Sequence, residues 1–236
     1  MKRMKDALKN SEFSENQMLT QVGRRFFLRS AGLTAVTGAF ILGACQDHDM
    51  EPDATVDLGS GDIGILNYAY ALEQLEAAFY TQVIDMPYQG MTDMEKRFLT
   101  DIRDHEIIHR EFFKAALGSA AIQGLEVNFS SVNFMDRASV LGTARVLEDT
   151  GVAAYNGAGK YIEDVQYLLV AGKIVSVEAR HAAIIRNLLQ PMTRYFAGDD
   201  IVDPMTGLDV AKEPAMILAD AQPLIETRIT ANNLPK

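Results

Sequence analysis

The feature that most constrains this chain is a chemical pattern written twice. Glu73 is followed at seven residues by Tyr80 and then by Glu106 with His109 three places on, while Glu148 is followed at seven by Tyr155 and then by Glu178 with His181 three places on. With fourteen glutamates and four histidines in 236 residues, chance gives roughly a quarter of one Glu-x-x-His pair. This chain has two, in matching register. Residues three apart share a helix face, so each pair can direct one carboxylate and one imidazole toward the same point in a core.

Four amphipathic segments carry the pattern. The first is expected over 62–85, with Leu66, Tyr70, Glu73, Ala77, Tyr80 and Ile84 along one face. Met86-Pro87-Tyr88-Gln89-Gly90 breaks it, and Thr92 with Glu95 is a capping-box signature for a second helix ending at Gly118. Its stripe reads Ile102, Glu106, His109, Phe113, Leu117. A third helix is expected over 136–157, presenting Ala144, Glu148, Gly151 and Tyr155. A fourth, over 163–190, presents Ile174, Glu178, His181, Ile185 and Leu188, and Pro191 ends it. Residues 118–135 show no helical period and are longer than a tight turn needs. Short link, long crossover, short link is the connection pattern of a four-helix bundle with one crossover. Composition agrees with an all-α class: 48% hydrophobic, no tryptophan, and few prolines between Asp62 and Gln190.

Four carboxylates and two imidazoles from four helices are the ligand set of di-iron and di-manganese carboxylate bundles. Burying four carboxylates together is unfavourable unless cations neutralise them. Oxygen and nitrogen ligands suit iron or manganese, with zinc open, and the lack of thiolates argues against an iron-sulfur centre. Several neighbours compete with the six. Glu76 could face nearly the same way as Glu73, although only Glu73 reproduces the spacing to tyrosine. His105 reads as a flanking or supporting residue, because the other half has no equivalent. Asp149 and Glu163 read as solvated. A bundle whose inward glutamates and histidines pair with each other without metal is the competing explanation of the pattern.

The N-terminus has its own layout. Gly23-Arg24-Arg25-Phe26-Phe27-Leu28-Arg29 precedes an uncharged run rich in small and apolar residues from Ser30 to Ala44, the order of an export signal. Arg24 and Arg25 with Phe27-Leu28 resemble a twin-arginine signal. That pathway carries folded proteins, which favours a domain loaded with its metal beforehand. Cys45, the only cysteine, follows Leu42-Gly43-Ala44 in a segment that resembles a lipobox, so lipidation there is expected, in preference to an inert buried thiol. The organisation expected is an export signal over 1–44, an acidic tether over 45–61, the bundle over 62–190 and a C-terminal extension over 191–236, with a short helix near 213–221. Beyond residue 44 there are fifteen Lys/Arg against twenty-nine Asp/Glu. Such a surface repels phosphate backbones and excludes nucleic acid as the expected partner.

Residues 62–190 resemble the ferritin-like superfamily. Leu72-Glu73-Gln74-Leu75-Glu76-Ala77-Ala78-Phe79-Tyr80 and Val177-Glu178-Ala179-Arg180-His181-Ala182-Ala183 are especially similar to the bacterial ferritin-like domain family that includes desiccation-related proteins. The resemblance implies an all-α ferritin-like four-helix bundle with its long crossover between helices 2 and 3. It implies Glu73 and Glu148 as terminal ligands, Glu106 and Glu178 as bridging ligands, and His109 and His181 as one terminal ligand on each metal. Tyr80 and Tyr155 would stand beside the centre. The expected cofactor is two iron ions, with manganese as the alternative. The expected function is oxidation of ferrous iron or reaction with oxygen or peroxide. A non-catalytic metal-binding or envelope-protective protein and a manganese catalase-like enzyme are the alternatives. The expected place is the periplasm or an outer-membrane anchor in a bacterium, with membrane contact only through lipid and a homodimer left open.

Overall fold

The computed structural model describes residues 55–235. Arg24, Arg25, Cys45 and the stretch from residue 45 to 54 lie outside the described residues. The four expected helices form, as α1 Gly61–Asp85, α2 Asp93–Leu117, α3 Arg137–Ala158 and α4 Val165–Leu189. Local chemistry sets their ends. At the start of α2 the Thr92 N–H donates to Glu95 Oε2 at 2.8 Å and the Glu95 N–H donates to Thr92 Oγ1 at 3.2 Å, a reciprocal capping box. Asp136 and Asp164 cap α3 and α4 by accepting from the Ser139 and Gln166 N–H groups. Gly118 ends α2 at φ 55, a conformation that favours glycine.

Short links join α1 to α2 and α3 to α4, and one long crossover joins α2 to α3. The chain is thus the all-α four-helix bundle with one long crossover expected from its sequence. α1 packs chiefly on α2 and α3 on α4, with α1–α3 and α2–α4 contacts closing the bundle. Phe79, Val83, Leu99, Leu141, Ala144 and Ile185 fill the core at 0% exposure. α1 is buried nearly all round rather than along one stripe. Its second face is covered by the crossover, where Phe129 and Phe134 pack against Phe79 with ring centroids 5.7 and 5.8 Å away.

The C-terminal extension supplies the rest of the cover. It holds α5, Pro214–Ala221, and β2, Ile229–Thr230, which pairs in parallel with β1, Val56–Asp57. Ile217 and Ile225 are buried, as is Leu58 just after β1. The packed domain therefore begins inside the segment read as a tether, because Val56 and Leu58 are apolar anchors on either side of Asp57. Before α5 the Lys212 N–H donates to the Ala153 carbonyl at 3.0 Å. A Cβ at residue 157 would lie 1.8 Å from the Lys212 carbonyl oxygen, so only glycine lets the extension lie this close on α3.

Asp149 corrects the expectation of a solvated acid. Arg186, fully buried on α4, donates from Nε and Nη2 to Asp149, and from Nη1 and Nη2 to Asp200. Its remaining N–H reaches the Tyr195 carbonyl at 3.2 Å, so all five guanidinium donors are used. The network ties the extension to α3 and α4. Glu163 is exposed, as expected. Among the described residues no helix is long and apolar enough to cross a membrane.

Candidate metal centre

The i, i+3 spacing on α2 turns Glu106 and His109 inward, and the same spacing on α4 turns Glu178 and His181 to meet them. Glu73 arrives from α1 and Glu148 from α3. Glu106, Glu148 and Glu178 are 0% exposed, Glu73 1%, His181 4% and His109 9%. The six side chains expected from the sequence are thus brought together in the middle of the bundle.

Their ligand atoms fall into two overlapping clusters. Glu73, Glu106, His109 and Glu178 form one; Glu106, Glu148, Glu178 and His181 form the other, each spanning less than 4.8 Å. Glu106 and Glu178 belong to both. His109 Nδ1 lies 2.9 Å from Glu178 Oε1, 3.4 Å from Glu73 Oε2 and 3.5 Å from Glu106 Oε2. His181 Nδ1 lies 2.8 Å from Glu106 Oε1, 3.5 Å from Glu148 Oε2 and 3.6 Å from Glu178 Oε2.

These approaches are close in distance but wrong in direction for hydrogen bonds. Eight buried atoms at the centre have no hydrogen-bond partner: Glu73 Oε2, both oxygens of Glu106 and of Glu178, Glu148 Oε2, and Nδ1 of each histidine. Buried polar atoms are almost always partnered, because an orphan forfeits its hydration for nothing. Eight such atoms aimed at one space fit two cations, and until cations take that space the two histidines stand within ion-pair distance of the carboxylates.

The outer oxygens of the terminal carboxylates are satisfied, and in a crossed manner. The Tyr80 hydroxyl on α1 donates to Glu148 Oε1 on α3 at 2.5 Å, and the Tyr155 hydroxyl on α3 donates to Glu73 Oε1 on α1. The crossing makes α1 and α3 antiparallel here, and it leaves one oxygen of each terminal carboxylate facing the centre. Burial, reinforced by the glutamate each touches, pushes both phenols well above their ordinary range, so they remain donors.

Charge is shared unevenly. Burial pushes Glu73 well above the carboxylate range and Glu148 up to about 8. Glu106 is buried too, but His109 and His181 both flank it and bring it down to about 2. Against the opposing effect of burial, the carboxylates of Glu106, Glu178 and Glu73 push His109 up to about 12, and His181 is raised likewise, chiefly by Glu148 and Glu106. A cation entering the centre therefore displaces protons, and its hold strengthens with rising pH.

Two further groups stand close by. His105, read from sequence as a flanking residue, places Nδ1 2.9 Å from His181 Nε2 with the rings nearly parallel and 5.1 Å apart. An apolar cavity of about 20 Å³ runs to Tyr155 between Leu66, Leu72, Phe113 and Ala154, room for one small guest. Neither the network at Arg186 nor this cavity carries a periodic signal in the sequence.

The comparisons with known proteins bear on the whole bundle. No curated protein matches the chain at a significant level. The family model for the ferritin-like domain matches residues 61–191, more than half of the chain and the whole of α1 to α4. The chain therefore belongs to the ferritin-like domain family.

Proposed function

We propose that this chain is an exported redox metalloprotein that holds two iron ions in its bundle and uses them to oxidise ferrous iron or to react with dioxygen or peroxide. The eight converging ligand atoms, none with a hydrogen-bond partner, carry this reading. Glu73 and His109 would hold one ion, Glu148 and His181 the other, and Glu106 and Glu178 would bridge them. Four carboxylates match the charge of two divalent cations, so loading relieves the repulsion among them. When bound, such a pair supplies electrons to an oxidant at neutral pH.

The chain's own groups do the remaining work. Tyr80 and Tyr155 fix the terminal carboxylates by their outer oxygens, so the inner ones are aimed before a cation arrives. Leu99, Ile102, Ala144 and Ile185 keep bulk water from the core. The enclosure selects small reactants. An ion can exchange past His109, the most exposed of the six, and an apolar diatomic molecule fits the cavity beside Tyr155. Arg24 and Arg25 support export of the folded, loaded domain, and Cys45 supports a lipid anchor at the outer face of a membrane.

Metal analysis of the full chain, purified without added metal and then exposed to oxygen, tests the reading. Two irons per chain with near-ultraviolet bands that grow on oxygen exposure are expected. Two manganese ions with peroxide consumption would replace iron by manganese, and metal without any response to oxygen or peroxide would leave a binding protein. A chain that retains no metal and takes up none would overturn the proposal.

A further inference from the structure

Methionine is ordinarily a core residue, because its unbranched thioether fills gaps between other side chains. This chain uses it the other way round. Seven methionines stand among the described residues, and six of them are exposed: Met86, Met94, Met135, Met192, Met205 and Met216, from 48% to 97%. The seventh, Met91, is half-buried against the core. Only three of the seventeen described leucines are exposed, so the pattern belongs to methionine and not to apolar side chains at large. Among the described residues no sulfur-bearing side chain is buried.

Their placement is uneven as well. Arg137 at the start of α3 donates from Nε to Glu95 Oε1 at 2.7 Å and from Nη2 to the Leu188 carbonyl at 2.8 Å. These bonds bring the starts of α2 and α3 and the end of α4 to one end of the bundle. Met94 adjoins Glu95, Met135 precedes Arg137 by two residues, Met192 follows Leu188 by four, and Met86 closes α1 where the short link to α2 begins. Four thioethers thus stand at that end, while Met205 and Met216 lie on the C-terminal extension. Met192 is 97% exposed and is the one non-glycine residue with positive φ, 61, among the described residues. Side chains other than glycine, asparagine and aspartate are strained there, and at such exposure this one packs on nothing that could offset the strain. The fold does not call for methionine at 192, which leaves the chemistry of its sulfur.

We propose that the six exposed methionines are modification sites that consume peroxide, becoming sulfoxides and so sparing the histidines and tyrosines of the centre. In each event with hydrogen peroxide the sulfur supplies two electrons and the O–O bond breaks. One oxygen joins the sulfur, and the other leaves with both hydrogens as water. The step itself needs no metal. It rests on the function proposed above only in that peroxide is expected to reach this chain. A sulfoxide is polar and disrupts a core, but at the surface its dipole meets water, so the fold can carry all six at once. Exposure also opens each sulfoxide to a reductase of the methionine sulfoxide class, which makes the sites renewable.

Titration of the metal-free full chain with hydrogen peroxide, followed by peptide mass mapping, tests the sites. Met192 and Met205 should gain one oxygen first, the other four exposed methionines next and Met91 last. Helicity should be retained, and the melting temperature should move by no more than about 2 °C. Methionine sulfoxide reductases should return all six to thioethers. The sparing of the centre needs a second comparison, wild type against a chain with all six replaced by glutamine, each treated with ferrous iron and peroxide. Oxidation of His109, His181, Tyr80 and Tyr155 should rise several-fold in the variant. Met192→Gln with Met205→Gln should give an intermediate rise, and it serves as the comparison if the sixfold variant melts lower. Equal damage in wild type and both variants would overturn the sparing role, and sulfoxides that form only as helicity is lost would overturn the sites. A chain that takes up no iron yet oxidises at the six would refute the two-metal reading and leave the methionine sites standing.

Discussion

The two halves of the bundle, α1–α2 and α3–α4, carry the same inward chemistry and different outward chemistry. At an offset of 75 between α1 and α3 and of 72 between α2 and α4, Glu73, Tyr80, Glu106 and His109 meet Glu148, Tyr155, Glu178 and His181. One step away the correspondence fails: Gln74 meets Asp149, Lys114 meets Arg186, and His105 meets Val177. The outward positions follow whatever passes over them. In the first half that is a loop backbone, and amides serve it. Asn67 donates to the Leu58 and Ala120 carbonyls and accepts from the Ile122 N–H, while Gln74 accepts from the Leu125 N–H. In the second half it is a segment carrying Asp200, and the Asp149–Arg186 pair holds it. A cation site imposes residue type and register together, whereas an overlying segment imposes only a complementary partner.

The largest effect should come from removing what the halves share. Glu106→Ala with Glu178→Ala takes two ligands from both clusters and should abolish binding of both metal ions while far-UV helicity stays largely intact. Glu73→Ala and Glu148→Ala each touch one cluster, so each should cost one equivalent of metal. Metal content by elemental analysis against helicity by circular dichroism decides it. Loss of both ions from either single variant would show that the halves load in a fixed order rather than as equals.

The inward half of this comparison was legible in the sequence, because a repeated stripe of Glu, Tyr and Glu-x-x-His on apolar faces has a period that helix geometry explains. The helix bounds were legible for the same reason, helped by the Thr92–Glu95 box and by Pro191. Asp149 was not. Its partner Arg186 lies 37 residues away and is buried only because residues 194–200 fold over it, and no local pattern announces a contact of that kind. The β1–β2 pair also escaped notice, since two residues on each side, 173 positions apart, make no alternating signal. Glu76 was visible as a competitor of Glu73 on one helical face. Gly151 could be seen on the stripe of the third helix, but not that it lies against the Glu76 carboxylate.

Breaking the outward half should change stability more than metal binding. Arg186→Ala leaves Asp149 partly buried without a counter-ion and releases Asp200, a loss of about 3–5 kcal/mol. In a domain of this size each kcal/mol moves the melting temperature by about 2–4 °C, so the melt should fall by roughly 10 °C. Lys114→Ala, at the corresponding exposed position of α2, should stay within about 0.5 kcal/mol. Thermal melts of the metal-free proteins measure both. Equal shifts would mean that the extension does not depend on the guanidinium.

The smallest expected effect concerns His105, which is where the two halves differ closest to the centre. His181 turns Nδ1 to the centre and Nε2 to His105 Nδ1 at 2.9 Å. A proton on His181 Nε2 donated to His105 leaves the Nδ1 lone pair free for a cation, so His105 fixes the tautomer the site needs. Val177, the counterpart of His105, can offer His109 no such bond. The ion beside His181 should therefore bind more tightly than the ion beside His109, and a stepwise calorimetric titration should resolve two constants. His105→Val makes the two halves alike. Because His105 is exposed, the loss should sit near the low end of the ~10- to 100-fold range typical of such supporting groups, and it should fall on the tighter constant only, bringing the two together. Two constants that weaken in parallel would mean that His105 acts on the fold as a whole, and two that do not move would mean that the stacked pair of imidazoles is packing alone.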